Sequence, residues 1–243
     1  MRALILMVLC LIQPLQAGAQ SVQLAAEDDW YPYSAKIGGK AVGMSVDIVQ
    51  AAYRAAGTDV TFAVVPFNRG MVLTKSGTYA GVFNGSPNDA VNRDYLVPKN
   101  AVATSRQVVL ARTGLPFKDG KSFNGKVLTL TLGYTYPTDI TNDPLNKVEY
   151  ASADINNLKK IAARRADFTI IDRMVALSLL QKNPEIKGEV ALVGELSSVE
   201  LFPLFSRSDH GAQARERYDR GMDLIRTNGT LMKIQSEWES KFK

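Results

Sequence analysis

The polar residues best placed for chemistry in this sequence lie at the ends of predicted buried strands. Asp172 ends the segment ADFTIID, whose apolar and β-branched residues are typical of a buried strand. Asn84 and Ser86 lie at the end of a second such segment, YAGVFNG, and the turn LGYTYPTD follows a third. Ligands of open parallel sheets bind beyond the carboxyl ends of the strands, so these residues are candidates for one shared site. In that site the turn could offer backbone N–H groups to an anion, while Asp172 could pair with a cation.

Asp172 also has a purely structural interpretation. It directly precedes RMVALSLL, a predicted helix, and aspartate is among the favoured residues at the N-terminal cap of a helix. The sequence therefore leaves both roles open for this carboxylate, ligand contact and helix cap.

The sequence lacks the residues of the common catalytic and metal sites. The only histidine, His210, precedes a predicted helix, and the only cysteine, Cys10, lies near the N-terminus. A Cys/His site, a Ser/His/Asp site or a zinc site of nitrogen and sulfur ligands therefore has too few members. Neither the Gly-x-Gly-x-x-Gly motif nor a complete phosphate-loop motif is present. We expect a protein without cofactor, metal or catalytic residues.

The N-terminus has the pattern of a secretory signal peptide. Arg2 is followed by an apolar run from Ala3 to Ile12 and by the small residues Ala17-Gly18-Ala19. The apolar run is shorter than the roughly 20 residues that cross a bilayer, so we expect cleavage after Ala19 rather than an uncleaved anchor. The mature protein is then expected in the periplasm or outside the cell.

The charged residues indicate a solvated surface and no polyanion partner. The net charge of +5 falls to +4 when Arg2 is removed, and the remaining basic residues alternate with acidic ones, as in ARERYDRGMDLIR. The aromatic residues are not spaced among lysines in the manner of a base-stacking surface. The sequence therefore does not predict nucleic-acid binding.

Short strands and amphipathic helices alternate through the rest of the chain. After SVQLAAE, a predicted strand, VDIVQAAYRAAG predicts a helix with Val46, Val49, Ala52 and Tyr53 on its apolar face. The same rhythm returns in KVLTLTLG, SADINNLKKIAARRA and DFTIID, and Ser152 is the predicted N-cap of the helix in this second series. This order predicts mostly parallel sheets flanked by helices.

Two such series in a chain of 243 residues predict an α/β fold of two lobes with a ligand cleft between them. We expect the signal peptide to comprise residues 1–19 and lobe 2 residues 108–199. Lobe 1 is then formed by residues 20–107 and 200–243. The extended segments SRQVVLAR and VELFPLFSRSD are predicted to cross between the lobes.

Four segments, in this order, resemble the polar-amino-acid family of periplasmic solute-binding proteins, solute-binding protein family 3, with the type II periplasmic-binding fold. They are DDWYPYS, GKAVGMSVDIVQAAYRAAG, ADFTIID and GMDLIRTNGTLMKIQSEWESKF, and together they extend over nearly the whole mature chain. The resemblance implies a non-enzymatic protein that closes its lobes on a small zwitterion, an amino acid or a relative. It also implies a membrane partner, an ABC transporter permease, and we expect a monomer.

The resemblance assigns the two charged ends of the ligand to separate residues. It implies that Asp172 meets the α-ammonium group and that an arginine of lobe 1 grips the α-carboxylate, as a planar guanidinium can do with two parallel hydrogen bonds. Arg93, in SPNDAVNRDYLVP, is the nearest match, although its loop is about two residues longer than the family spacing. Arg69, in PFNRG, is the alternative for the same role.

The remaining positions of the implied site are neutral. Ser86 and Asn84 match the loop that supplies hydroxyl and carbonyl contacts, and Gly133, Tyr134 and Thr135 match the anion-binding turn of lobe 2, where Tyr134 departs from the family pattern. Trp30 and Tyr33 match the aromatic segment that packs on the ligand side chain, with core packing as the alternative for each.

Two other functions stay open from the sequence. A dehydratase on the same scaffold would need a further general acid, for which Asp139 and Glu200 are the candidates. The other is a ligand-sensing partner of a membrane receptor, which neighbouring genes rather than the sequence would distinguish from a transport protein.

Overall fold

The strands and helices follow the alternation that the hydrophobic pattern predicts. A computed structural model describes residues 21–242, so the predicted signal peptide lies outside the described residues. The strands are β1 (Val22–Glu27), β2 (Asp29–Trp30), β3 (Ser34–Ile37), β4 (Lys40–Val42), β5 (Val60–Val65), β6 (Gly81–Gly85), β7 (Ala103–Arg112), β8 (Val127–Thr131), β9 (Lys147–Ala151), β10 (Phe168–Asp172) and β11 (Val190–Phe205). The α-helices are α1 (Met44–Ala55), α2 (Phe67–Lys75), α3 (Asp89–Asp94), α4 (Thr138–Thr141), α5 (Asp154–Ala162), α6 (Arg173–Lys182), α7 (Pro184–Lys187), α8 (Asp209–Thr227) and α9 (Thr230–Glu239). Short 3-10 helices span Gly120–Phe123 and Ser240–Phe242.

Eight strands form one hydrogen-bonded sheet in the order β5-β1-β6-β11-β7-β10-β8-β9. Each end of this sheet is parallel, with β1 between β5 and β6, and β8 between β9 and β10. The long strands β7 and β11 lie in the middle and pair antiparallel with each other and with their outer neighbours. The sheet thus consists of two parallel halves joined by a central two-stranded ribbon.

The two halves form the two α/β lobes that the sequence predicts. On one side, α1 packs against α8 and α9, and α2 covers β1 and β6. On the other, α5 covers β8 and β10, and α6 packs on β7 and β10. The strand–helix–strand connections return each parallel strand to the same direction, so the carboxyl ends of β1, β6 and β8 face the space between the halves.

The helix predicted after β1 buries the apolar face that its spacing defines. Val46, Val49, Ala52 and Tyr53 of α1 are all buried, and the Tyr53 hydroxyl donates a 2.9 Å hydrogen bond to the Ala214 carbonyl of α8. α8 can approach closely because Gly221 lies against the Ala52 backbone, where a Cβ atom would collide. These contacts fix the first half of the sheet behind the cleft.

Three local features differ from the sequence prediction. Ser152 is not the N-cap of α5, because the helix begins one residue later after Ala153, and the Ser152 hydroxyl instead accepts a hydrogen bond from the Asn156 side chain. β11 extends back to Val190, well before the predicted segment, because it pairs with β7 along nearly its whole length. The third difference is a small sheet of β2, β3 and β4, which follows β1 and was not predicted.

Among residues 21–242, no helix has both the length and the apolar character needed to cross a bilayer.

Candidate functional site

A cavity of about 240 Å³ lies between the two halves, at the carboxyl ends of β1 and β6 and beside the turn after β8. Its lining includes six of the predicted site residues: Trp30, Asn84, Ser86, Gly133, Tyr134 and Thr135. It also includes residues from both crossing strands: Ser105, Gln107, Val199, Leu201 and Leu204. The strand ends therefore converge as the parallel topology requires.

A second cavity, of about 250 Å³, lies on the opposite side of β7. Thr104 and Arg106 line it, whereas Ser105 and Gln107 line the first cavity, because successive side chains of a strand point to opposite faces. Tyr33 lines this second cavity, stacked on Trp30 with ring centroids 4.5 Å apart, and is buried in the core. Tyr33 therefore packs in the core, whereas Trp30 lines the first cavity.

Asn84 is a buried polar residue in the wall of the first cavity. It is 7% exposed, and neither its Oδ1 nor its Nδ2 atom has a hydrogen-bond partner among the described residues. Its backbone φ of 71° is in the left-handed region, which asparagine tolerates better than most side chains. Buried polar atoms are normally paired, so this amide is an exception among the groups beside the cavity, but neither of its polar atoms has accessible surface there.

Tyr134 joins the two halves across the cavity. Its hydroxyl donates a 2.8 Å hydrogen bond to Glu27 Oε1 at the end of β1, and its ring packs edge-on against Trp30 and Phe67. The neighbouring Gly133, with a φ of 86°, approaches Asn68 so closely that a Cβ atom there would collide with the Asn68 side chain. The turn after β8 therefore contacts elements of the other half across the cavity.

Glu27 is a buried carboxyl that the sequence interpretation missed. It lies in the cavity wall with 6% of its surface exposed, and burial raises its pKa from 4.5 to about 8, against the lowering effect of the Tyr134 hydrogen bond. Neighbouring acidic groups, Asp154 first, raise the pKa further. The carboxyl is thus held in a place where an opposite charge would be stabilising.

Asp154 is a second buried carboxyl beside the cavity. It lines a small chamber of about 40 Å³ that shares Trp30 and Tyr134 with the cavity wall. Its pKa is raised to about 7, mainly by burial, while the Thr131 hydroxyl that donates to Asp154 Oδ1 lowers it. The Asn157 side chain in turn donates to Thr131, so this carboxyl is fixed at the end of a buried hydrogen-bond chain.

Asp172 lines the same chamber, but five protein donors already occupy its carboxyl group. Its Oδ1 atom accepts hydrogen bonds from the backbone N–H groups of Met174 and Val175, so it caps α6. Its Oδ2 atom accepts from Ser105 Oγ at 2.8 Å, and from Arg106 N and Tyr33 OH at 3.1 Å. Burial raises its pKa above 3.8, against these hydrogen bonds. A carboxylate offers about four lone-pair sites, so the helix cap on Oδ1 and the three donors on Oδ2 already use them, and the ligand contact stays a prediction.

The two predicted arginines lie outside the cavity wall. Arg93 is on α3 with its side chain 74% exposed, next to Asp94, and Arg69 is exposed on α2. No lysine, arginine or histidine belongs to the cavity lining formed by residues 21–242. The structure therefore does not bring the expected guanidinium to the other predicted site residues.

Glu27, Gln107 and Asp154 gave little signal in the sequence. Glu27 opens the run EDD, which is typical of a solvated surface, and Gln107 lies in the middle of a crossing strand. Asp154 begins a helix, where an acidic residue is common for electrostatic reasons alone. For Glu27 and Asp154, the position at a predicted strand end or helix start is the one signal in the sequence, and Gln107 gave none.

Comparison with known proteins gives four matches. The family model of bacterial extracellular solute-binding proteins, family 3, matches residues 22–241. The probable amino-acid-binding protein YxeM of Bacillus subtilis is 21% identical over 251 residues, covering 96% of this chain and 93% of that protein. Among solved structures, an ancestral arginine-binding protein bound to arginine has a TM-score of 0.78 at 20% identity and covers 90% of this chain and 97% of its own. A histidine kinase sensor domain with similarity to periplasmic binding proteins has a TM-score of 0.77 at 17% identity. The match covers 90% of this chain and 96% of that chain.

Proposed function

Because the chain belongs to the bacterial extracellular solute-binding proteins, family 3, we propose that it captures a small amine-bearing solute, an amino acid or a relative, by closing its lobes around it. The observation that carries this proposal is the cavity between the two halves, which is lined by the buried carboxyl group of Glu27 and the aromatic rings of Trp30 and Tyr134. Water leaves the polar contacts when such a cleft closes, which strengthens them.

The central ribbon supports lobe closure as the binding motion. β7 and β11 are the strands through which the sheet passes from one half to the other, and β11 carries register shifts between Leu192 and Gly194 and between Glu195 and Ser197. We propose lobe boundaries near residues 107 and 199, within these strands. Twisting of the ribbon would separate Gly133 and Tyr134 from Asn68 and Glu27 without breaking either half of the sheet.

Ligand binding is tested by thermal denaturation of the mature protein, residues 20–243, with amino acids, their amides and the corresponding amines. A ligand at about 100 times its dissociation constant stabilises by roughly 2.7 kcal/mol. For a chain of this size that raises Tm by about 5 to 10 °C. Absence of any shift across this panel would refute an amine-bearing ligand.

Glu27, whose pKa burial raises to about 8, is the one carboxyl group of the described cavity wall that could serve the dehydratase alternative as a general acid. Asp139 and Glu200, the candidate general acids, are both exposed and do not line the cavity. A di- or tricarboxylic substrate would also meet no basic side chain in the cavity wall formed by residues 21–242, where Glu27 is acidic. Burial keeps Glu27 protonated at neutral pH, and a ligand cation that displaces this proton would gain an opposite charge beside it.

The partner is proposed to be an ABC transporter permease that takes up the solute. The sensor-domain similarity supports the alternative, in which the same closed form signals to a receptor. Uptake of radiolabelled ligand by cells with and without the gene separates the two, because deletion abolishes uptake only if the protein feeds a transporter.

A further inference from the structure

Several polar side chains in the wall of the first cavity are already bound to other parts of the protein. Ser105 Oγ donates a 2.8 Å hydrogen bond to Asp172, and the Asn88 side-chain oxygen accepts from a backbone N–H group at the start of α3. Both ends of the Gln107 amide are paired as well, its oxygen with the Ser197 hydroxyl and its nitrogen with a backbone carbonyl of the turn after β8. A charged ligand group would have to displace these internal partners to gain a hydrogen bond here.

The wall offers a ligand one ionisable carboxyl group and no basic side chain. Glu27 is the one acidic residue of the wall formed by residues 21–242, and no lysine, arginine or histidine in that range belongs to it. Its Oε1 atom is bonded to Tyr134, so there is room for one ligand amine against this carboxyl group. Asp154 lines the adjoining chamber of about 40 Å³ and not the cavity itself. A second charged group on the ligand would lose its water in the closed cleft and find no opposite charge.

An apolar surface from α2, α3 and β11 forms much of the same wall. Phe67 and Met71 of α2 and Val91 of α3 line the cavity, are half-buried, and pack against the hydrophobic cluster that contains Leu204. Leu204 and Leu201 of β11 are buried and also line the cavity. A hydrocarbon group placed on this surface would remove its own apolar area and that of the wall from water together.

Three aromatic rings connect the apolar surface to the carboxyl group. The ring of Phe67 lies edge-on against Tyr134, and the ring of Tyr134 lies edge-on against Trp30, each pair with ring centroids 6.3 Å apart. Tyr134 is also the residue that hydrogen-bonds to Glu27. A solute can therefore place an amine at Glu27 while its hydrocarbon part lies along the rings toward α2.

From these contacts we propose that the cavity selects an amine-bearing solute with an apolar body, a straight-chain or aromatic hydrocarbon group, and discriminates against a second cationic group. The proposal rests on the proposed binding function and narrows its ligand class. The amine lies against Glu27, and the hydrocarbon part lies on Phe67, Met71 and Leu204. The selection concerns the body of the solute, so it applies equally to amino acids and to simple amines.

The test compares ligands in which a methyl group replaces one ammonium group. L-norleucine and L-ornithine have side chains of equal length, and pentylamine and putrescine form a second such pair without a carboxylate. Any contact with the α-carboxylate therefore cancels within the first pair. Isothermal titration of the mature protein at pH 7 measures each dissociation constant, with L-phenylalanine and phenethylamine as compounds that carry a ring. We expect the apolar member of each pair to bind at least about tenfold more tightly than the charged member.

Met71→Glu is the variant that tests where the body of the solute lies. It places a carboxyl group at a half-buried position of the apolar surface. The preference for norleucine over ornithine is expected to shrink about tenfold or more, because the new carboxylate can pair with the second ammonium group. The matched control is Val72→Glu, the next residue of α2, which is 67% exposed outside the cavity wall and should leave the preference unchanged.

The outcomes separate the two proposals. If the charged members bind as tightly as the apolar ones, or if they alone bind, the inference of an apolar body is wrong while the binding function stands. If no amino acid or amine of this panel or of the thermal denaturation panel binds, the binding function itself is wrong and the inference fails with it. The ligand pairs test the wild-type protein directly, so this result does not depend on the folding of the Met71 variant.

Discussion

Glu27 and Asp154 titrate in the interior of the protein rather than in water. Burial raises their pKa values to about 8 and about 7, from 4.5 and 3.8. At neutral pH the folded protein therefore holds protons that the unfolded chain has released. The stability that these groups contribute is greatest at a pH below their pKa values in the unfolded chain. It is lost as the pH rises through their pKa values in the folded protein.

We predict that the free energy of unfolding of the ligand-free protein falls between pH 5 and pH 8.5. Urea denaturation across this range measures the slope. Glu27→Gln removes one titrating group and should flatten the decline, whereas Glu149→Gln, an exposed residue paired with Lys160, should leave it as in the wild type. A stability that rises with pH over this range would contradict the burial argument.

Asp172 illustrates how a single residue can hold an element and border a site together. Asp172→Asn keeps an oxygen for the cap of α6 but turns an amide N–H₂ group toward the donors of Ser105, Arg106 and Tyr33. We expect a loss of about 2 to 4 kcal/mol in the free energy of unfolding, since buried donors lose their acceptor.

Urea denaturation gives this value, and Asp119→Asn is the control. Asp119 caps an exposed 3-10 helix, so its change should cost about 1 kcal/mol or less. If Asp172→Asn unfolds like the wild type yet loses ligand affinity more than a hundredfold, the carboxylate acts on the ligand and not mainly on the helix.

At the scale of elements, the turn after β8 closes the cleft because it carries no side chain where it meets α2. Gly133→Ala places a methyl group against the side-chain amide of Asn68, which is exposed and must turn away before the two halves can close. We predict a dissociation constant weakened about threefold. Gly125→Ala is the matched control, since Gly125 has a similar φ of 72° and open space around it.

Both glycine variants carry the conformational cost of a positive φ, so both should lose about 1 kcal/mol of stability. Only Gly133→Ala should also lose affinity, as measured by titration with the tightest ligand found. Equal affinity of the two variants would show that the Gly133–Asn68 approach is not needed for binding.

Helices and strands with a clear hydrophobic period were predictable from the sequence. Very short strands, and strands that form only by pairing with a distant segment, were not. The apolar spacing of α1 and the apolar runs of β1 and β10 identify them directly. β2, β3 and β4 have two to four residues each, too few to establish an alternation. The first half of β11 is mostly exposed and is a strand because β7 pairs with it.

Residues of the cavity wall that lie at strand ends were predictable from the sequence. Contacts between residues that are distant in the chain were not. Asn84, Ser86 and the turn containing Tyr134 follow from the rule that parallel strands present their carboxyl ends to a ligand. The role of Glu27 depends on Tyr134, which is 107 residues away in the chain and covers it only in the folded protein. Arg93 matched a family position in sequence, but α3 directs it to the surface.

At the scale of the whole molecule, ligand binding should make the protein more compact. The contacts of Tyr134 with Glu27 and Phe67 join halves that are otherwise connected mainly through β7 and β11. We predict that small-angle X-ray scattering shows a smaller radius of gyration with saturating ligand than without. The Gly133→Ala variant should show a smaller change, and an unchanged radius in the wild type would argue for a cleft that stays closed.

The pairing of Arg112 with Val190 has a consequence for engineering. Residues 113–189 leave the long β7–β11 ribbon and rejoin it at the same rung, so their two ends are adjacent in space. Such a segment can be exchanged for the corresponding segment of a relative, because both junctions lie at the same position of the ribbon. A chimaera built in this way would replace the wall that holds Tyr134 and Asp154 and keep Glu27 and Asn84, and its selectivity would be inherited half from each parent.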